Sequence, residues 1–221
     1  MLKRLFDIIL SMVVLLLFLP FGLVIAAVLR FTGEGEIFFA QNRVGMDLHV
    51  FKMYKFATML RDSPNLGSGD ITVDNDSRVL PFGRLLRRTK LNEVPQILNV
   101  LFGTMSIVGP RPLTPKNFGY YSSESQEIIA QMKPGLTGIG SIVFRDEERI
   151  IGASEKTYEQ SYKEEIAPYK AQLESWYYSH KGFVTDVLIV LITAWVVLRP
   201  DSTVYLRIWN HLPTLPKSLQ L

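Results

Sequence analysis

Residues 8–29 read IILSMVVLLLFLPFGLVIAAVL, an uncharged run of 22 residues. At the helical rise this is about 33 Å, enough to cross a hydrocarbon core. Pro20 and Gly22 sit near its middle, where proline removes a backbone donor and bends a helix. Lys3 and Arg4 precede the run, and Arg30, Arg43, Lys52 and Lys55 follow it. Basic residues favour the cytoplasmic side, so both ends are drawn to one face. A helix that enters the bilayer and returns at Pro20 satisfies both features, while a tilted single span with a tolerated proline remains open. A cleaved signal peptide fits poorly, because its apolar core is shorter and Ala26-Ala27 lies too deep in the run.

Outside this run the chain is ordinary in charge. It has 221 residues, 24 Lys and Arg against 21 Asp and Glu, a net charge of +3 and no cysteine. That length suits one domain with an appendage. The missing thiols exclude disulfide scaffolds, thiolate metal sites and cysteine nucleophiles. A net +3 is too small for steering by the whole molecule, so any electrostatic function is local.

The remainder reads as a small α/β domain, mostly helical. Glu36–Gln41 and Leu48–Phe56 predict a strand pair across a turn with Gly45 and Asp47. Arg61–Asp76 reads as a polar loop; Asp70, Asp74 and Asp76 lack the glycine and terminal glutamate of a calcium loop. Leu80–Leu101 predicts helix interrupted at Pro95, Ser122–Met132 a polar helix, the segment up to Phe144 a Gly-rich strand, and Tyr158–Tyr178 a helical region restarted near Pro168. In the second apolar stretch, Phe183–Leu198, Asp186 leaves a clean run of 12 from Val187, too short to span. With Trp195, Arg199, Tyr205, Arg207 and Trp209 it suits a helix in the membrane interface or, equally, a buried core helix. The tail with Trp209 and His211 suits self-association into a homo-oligomer as well as membrane contact.

Between Ser77 and Asn92 lie Arg78, Arg84, Arg87, Arg88 and Lys90, and no acid. On a helix Arg84, Arg87 and Arg88 share one face, opposite Leu85, Leu86 and Leu91. Such a face suits anionic membrane lipids or the phosphates of a substrate. It does not suit nucleic acid, since it lacks interleaved aromatics and lies beside a membrane segment. Glu93 follows directly, and carboxylate with phosphate oxygens is the usual way to hold Mg²⁺. A surface salt bridge from Glu93 is the plain alternative.

Four stretches carry a resemblance: Phe51–Met59 (FKMYKFATM), Gly83–Gln96 ending LNEVPQ, Asn99–Gly103 with Met105–Pro112 (MSIVGPRP), and Lys133–Gly138 (KPGLTG). In order and over nearly the whole chain they resemble the bacterial sugar transferase family, the monotopic polyprenol-phosphate phosphoglycosyl transferases. The resemblance implies transfer of a sugar phosphate from a UDP-sugar donor to undecaprenyl phosphate, with Mg²⁺ and release of UMP, at the cytoplasmic face of the bacterial inner membrane. It implies a membrane-monotopic protein with a re-entrant N-terminal helix hairpin over 1–32, a catalytic domain over 33–182, and an interfacial helix and tail over 183–221. The family breaks its first helix at Ser-Pro; here Leu19-Pro20 keeps only the proline. Lys55, Arg87, Arg111 and Arg145 match its phosphate-contacting basic positions, and Glu93 its metal-binding glutamate.

The family's motif is Asp-Glu, with the aspartate as nucleophile on the β-phosphate, whereas this chain has Asn92. An amide is a far weaker nucleophile than a carboxylate, which puts the covalent route in doubt. Three readings stay open: direct attack by the acceptor phosphate, another carboxylate such as Asp146 beside Arg145, or a catalytically inactive homologue that binds polyprenyl phosphate or a partner transferase, by divergence or by an Asp-to-Asn change.

Overall fold

The computed structural model describes residues 2–63, 76–145, 157–199, 202–216 and 219. The expected loop falls largely on residues 64–75, outside the described residues, as does Asp146.

The uncharged run lies in α1, Leu2–Phe31, a 30-residue helix with Pro20 inside it. The whole run is one helical element that continues through Pro20. Proline removes a single backbone hydrogen bond, and a helix survives that loss where the turns on both sides are packed. Here they are. Asp7 and Ser11 are buried toward the N-terminal end and Ile25 and Leu29 toward the C-terminal end, with Phe18 packed between. These positions recur at helical spacing, so one stripe of α1 rests on the domain along its length. The opposite side exposes Ile9, Met12, Leu16, Leu17, Leu23 and Val24, an apolar surface compatible with membrane association.

The predicted strand pair is an antiparallel hairpin of β1, Phe38–Val44, and β2, Val50–Phe56, with Phe39 opposite Lys55. Its turn passes through Asp47 and Leu48, both at positive φ. The expected long helix from Leu80 is three pieces: α2, Pro81–Arg88; a 3-10 turn, Leu91–Glu93; and α3, Gln96–Phe102. The break comes at Lys90, which is left-handed (φ 59), ahead of Pro95. Glu93 thus leaves the helix that carries Arg87 and Arg88. On α2, Leu86 is buried as expected, but Leu85 is 47% exposed.

A second, parallel pair joins β3, Ser106–Val108, to β4, Gly135–Thr137. Where it continues into the next loop the backbones nearly touch. A Cβ on Gly109 would lie 2.2 Å from Lys133 O, and one on Gly138 2.2 Å from Gly109 O. No other residue type fits such an approach, which accounts for glycine in both motifs.

Two short helices follow β3: α4, Pro115–Phe118, and α5, Ser123–Ala130. After β4, the expected Gly-rich strand continues as a helix, α6, Ile139–Val143. A helical run then passes through α7, Tyr158–Ser161, and a π turn, Tyr162–Ile166, into α8, Ala167–His180. The wide turn accommodates Pro168, whose ring cannot sit against a regular preceding turn. The chain ends with α9, Phe183–Leu198, and α10, Val204–Ile208.

Ile97, Val100, Met105, Val108, Ile139, Leu173 and Ile189 form the centre of the main core; Ile25, Leu29, Phe56 and Leu86 form a second cluster under α1. The helix α9 buries Ile189, Ile192 and Val196 and exposes Val184, Leu191 and Trp195. It lies beside α1, with Phe6 and Phe183 edge to face at 5.7 Å.

The first turns of α1 are tied into the domain by polar side chains. Lys3 donates to Val108 O (3.0 Å), Tyr177 Oη (3.1 Å) and Asp186 Oδ2 (2.6 Å), using all three of its donors. Arg4 donates to Val100 O and Leu101 O, two carbonyls of the last turn of α3. Asp7 accepts from Ser106 Oγ and Ile107 N.

Candidate active site

The hairpin, the 3-10 turn and the loop after β3 converge on one polar concavity. It is lined by Arg43 of β1, Met53 and Lys55 of β2, Glu93, Gln96, Arg111 and Pro112, with Gly135 and Leu136 of β4. Each group is fixed by a local device. Asn99 on α3 clasps β2, donating to Lys52 O (2.8 Å) and accepting from Tyr54 N (3.0 Å), which sets the strand beside Lys55. Left-handed Lys90 turns the chain so that Glu93 leaves the axis of α2. Arg111 lies between two prolines, with Pro110 O accepting from Gly135 N (2.8 Å) and Pro112 O from Arg43 Nη1 (3.2 Å).

At the centre, Glu93 Oε1 accepts from Lys55 Nζ at 3.3 Å and from Arg111 Nη2 at 3.4 Å. The Lys55 and Glu93 side chains are 19% and 21% exposed, so water screens this pair only partly. Burial works against the Glu93 charge, but Lys55, then Arg111 and Lys90, outweigh it and hold the carboxyl well below the usual carboxylate range. Burial lowers Lys55 to about 8, with Glu93 opposing the shift and Arg43 and Arg111 adding to it. Among the described residues lining the concavity, three cations, Arg43, Lys55 and Arg111, stand with one carboxylate, a balance that suits a phosphate group.

Of the residues expected from sequence, Lys55, Glu93 and Arg111 are brought into direct contact. Asn92 is buried at 7% exposure in the same turn, and its Oδ1 has no hydrogen-bond partner among the described residues. Arg87 stands half-buried on α2, ahead of the turn. Arg145 does not line the concavity and donates to Val196 O near the end of α9. It follows α6, which packs against α8 and α9, and so is carried to that face of the domain. Arg43 and Gln96 line the site without having been singled out. Gln96 closes the LNEVPQ motif, a signal that could have found it, whereas Arg43 is brought in by the hairpin register, directly across from Phe51.

The donor set fits a hard divalent cation such as Mg²⁺ only in part from the protein. Glu93 supplies one ionised carboxylate, while Asn92 in the adjacent position is not among the residues lining the concavity. Among the described residues no cluster of three or more His, Asp or Glu could hold a metal alone. One carboxylate completed by substrate phosphates is the ordinary arrangement for Mg²⁺.

A family model described as Bacterial sugar transferase matches residues 1–200. The chain is 41% identical over 145 residues to the UDP-glucose:undecaprenyl-phosphate glucose-1-phosphate transferase of Klebsiella pneumoniae, a match covering 63% of this chain and 30% of that protein. It is 35% identical over 161 residues to the exopolysaccharide production protein ExoY of Rhizobium meliloti (strain 1021), covering 66% of this chain and 71% of the relative. With the undecaprenyl-phosphate galactose phosphotransferase of Salmonella typhimurium the identity is 30% over 216 residues, 91% of this chain and 41% of that one. The chain thus spans less than half of the Klebsiella and Salmonella relatives.

Proposed function

Since this chain belongs to the bacterial sugar transferase family, we propose that it moves the sugar phosphate of a UDP-sugar onto undecaprenyl phosphate and releases UMP, the first membrane step of a surface polysaccharide or glycoconjugate. The observation that carries this reading is the Glu93 carboxylate held between Lys55 and Arg111 in a basic concavity. The printed names of the relatives include glucose and galactose transferases; which sugar this chain takes is a matter for assay.

The chemistry follows from the charges. An oxygen of the acceptor phosphate attacks the β-phosphorus of the donor, the bond from that phosphorus to the bridging oxygen breaks, and UMP leaves with that oxygen. Lys55, Arg111 and Arg43 neutralise the phosphoryl oxygens and hold the two anions together against their repulsion. Glu93 would hold Mg²⁺, whose chemistry when bound is to neutralise charge on the diphosphate. Glu93 also fixes the two cations in place before the donor arrives.

With an amide at position 92 we favour this single displacement over a covalent route. Intact mass after incubation with donor alone tests it, because a sugar-phosphate adduct on the native chain would refute it. The second reading, a non-catalytic binder of polyprenyl phosphate, rests on the same Asn92. Both are separated by UMP release with undecaprenyl phosphate and a panel of UDP-sugars. Release with any donor supports the transferase; none with any donor, and none restored by Asn92→Asp, overturns it.

We place the protein monotopically on the cytoplasmic face of the bacterial inner membrane. What supports this is that both ends of α1 pack on the same domain, through Lys3, Arg4 and Asp7 at one end and Ile25 and Leu29 at the other. A helix anchored so cannot carry its ends to opposite sides of a bilayer, yet its outer face is apolar. The site is thereby held where a polyprenyl phosphate headgroup emerges. External labelling of a residue before Ile8 in intact cells would refute this placement.

A further inference from the structure

The densest basic stretch of the sequence has no part in the concavity, since none of Arg84, Arg87 and Arg88 lines it. Arg87 is half-buried, whereas Arg84 and Arg88 are exposed one turn apart on α2, with Leu85 exposed beside them. Among the described residues neither Arg84 nor Arg88 makes a hydrogen bond or an ion pair. The acids that follow α1 are engaged elsewhere: Glu34 accepts from Arg61 N, and Glu36 pairs with Arg61 Nη1 at 3.5 Å. Glu93 pairs with Lys55 and Arg111.

The opposite side of α2 fixes where this face stands. Leu86 is buried with Ile25 and Leu29 of α1 and Phe56 of β2, and Phe82, one turn earlier, packs at the edge of that cluster. Gly83 is pressed on the main chain of Thr58, where a Cβ would lie 2.2 Å from the carbonyl oxygen. Leu80, just before α2, lies against Gly33, just after α1, with 2.8 Å between its Cδ1 and the place of a Cβ on that glycine. The helix is thus clamped beside the C-terminal half of α1, whose outer side bares Leu23, Val24 and Phe31. At 3.6 residues per turn the order around α2 is Leu86, Phe82, Leu85, Arg88, Arg84. That is a gradient from apolar to cationic which starts at α1, the pattern of a helix lying at the headgroup level. Arginine stems lie along apolar surface while their guanidinium groups reach phosphate oxygens.

We propose that the Arg84, Leu85 and Arg88 face of α2 docks on acidic phospholipid headgroups, as a second contact with the bilayer continuous with that of α1. The inference rests on the placement of α1 on the membrane, and it makes anionic lipid the preferred surroundings of the protein. Two unpaired cations next to an apolar surface complement a negatively charged bilayer and gain little from a zwitterionic one.

The test lets the full chain exchange, through sub-solubilising detergent, between phosphatidylcholine vesicles and denser vesicles with about one-third phosphatidylglycerol, and reads its ratio between the two. At about fivefold per cation, Arg84→Gln with Arg88→Gln is expected to lower the preference for the acidic vesicles about twentyfold. Arg84→Lys with Arg88→Lys keeps the charge and should keep the preference. Lys116→Gln with Lys163→Gln removes as much charge elsewhere on the surface and should leave it within about twofold. A parent without the preference overturns the proposal, as does an equal loss in the two glutamine pairs. A preference that appears only when the vesicles also carry undecaprenyl phosphate overturns it too, because the face then serves the acceptor. Should the Arg84 and Arg88 glutamine pair not fold, salt decides on the parent: raising it from about 50 to about 500 mM should erase most of the preference, and a ratio indifferent to salt overturns the proposal. A chain that joins both kinds of vesicle equally sinks this inference alone, whereas one that joins neither sinks the membrane placement with it.

Discussion

Lys3 Nζ stands 2.6 Å from Asp186 Oδ2, joining the first turn of α1 to the first turn of α9. The carboxylate is 4% exposed and also accepts from Tyr177 Oη at 2.6 Å; burial, then Asp186 itself, keeps the Tyr177 hydroxyl protonated far above its usual range. Lys3→Met leaves the Asp186 charge with one donor fewer in an apolar setting. We expect a loss of about 1–2 kcal/mol, tempered by the partial exposure of Lys3, seen as a lower melting temperature in detergent. Asp186→Asn should cost less in the Lys3→Met background than in the parent. Equal costs in both backgrounds would mean that the pair contributes no coupling.

Asp7 gives a sharper case, because both groups it serves are buried. Without its carboxylate, Ser106 Oγ and Ile107 N lose their acceptor at the strand β3. Asp7→Ala is expected to cost about 1–3 kcal/mol, and amide exchange at Ile107 should quicken. Asp7→Asn retains an acceptor oxygen and should recover part of the loss. Unchanged protection at Ile107 in Asp7→Ala would count against the contact.

These contacts explain what the sequence could and could not show. The uncharged run announced α1, and two apolar stretches flanking a turn with Gly45 and Asp47 announced the hairpin, because both signals are local. Lys3 and Arg4 read as topological charges because their partners, Val100, Val108 and Asp186, lie about a hundred residues or more away. Asn99 clasping β2, the left-handed Lys90 and the burial of Glu174 are likewise products of tertiary packing with no local pattern. Lys55, Glu93 and Arg111 were legible only as members of motifs, and their meeting is made by three separate elements.

Glu93→Gln separates the roles of charge and metal. The variant loses the carboxylate that pairs with Lys55 and Arg111, so UMP release should fall by about a hundredfold or more. Mg²⁺ titration should no longer stimulate what remains, and a chelator should remove activity from the parent alone. Binding of pyrophosphate in chelator should be as tight as in the parent or tighter, because the cations lose their internal counter-ion. A Mg²⁺ response identical in the variant and the parent would exclude Glu93 as the metal's ligand.

Stability should carry a pH signature of Glu174. Its carboxyl is raised to about 7 by burial, against an ordinary value near 4.5. Between those values the folded chain holds a proton that the unfolded chain has released, so stability falls as pH rises through the window and stays lowered above it. The size is at most about 3 kcal/mol. The depressed Glu93 acts elsewhere: its contribution is present above about 4.5 and fades as the medium turns more acid. The lowered Lys55 acts on the other side, its burial cost relieved only as pH climbs above about 8. Melting temperatures at pH 5 and pH 8 therefore bracket Glu174. The parent should lose more stability across that interval than Glu174→Gln, which has no proton to release. The same interval separates a carboxyl that merely fills space from one retained at a cost: if parent and variant fall in parallel, the group is not protonated in the fold and its burial carries no such penalty.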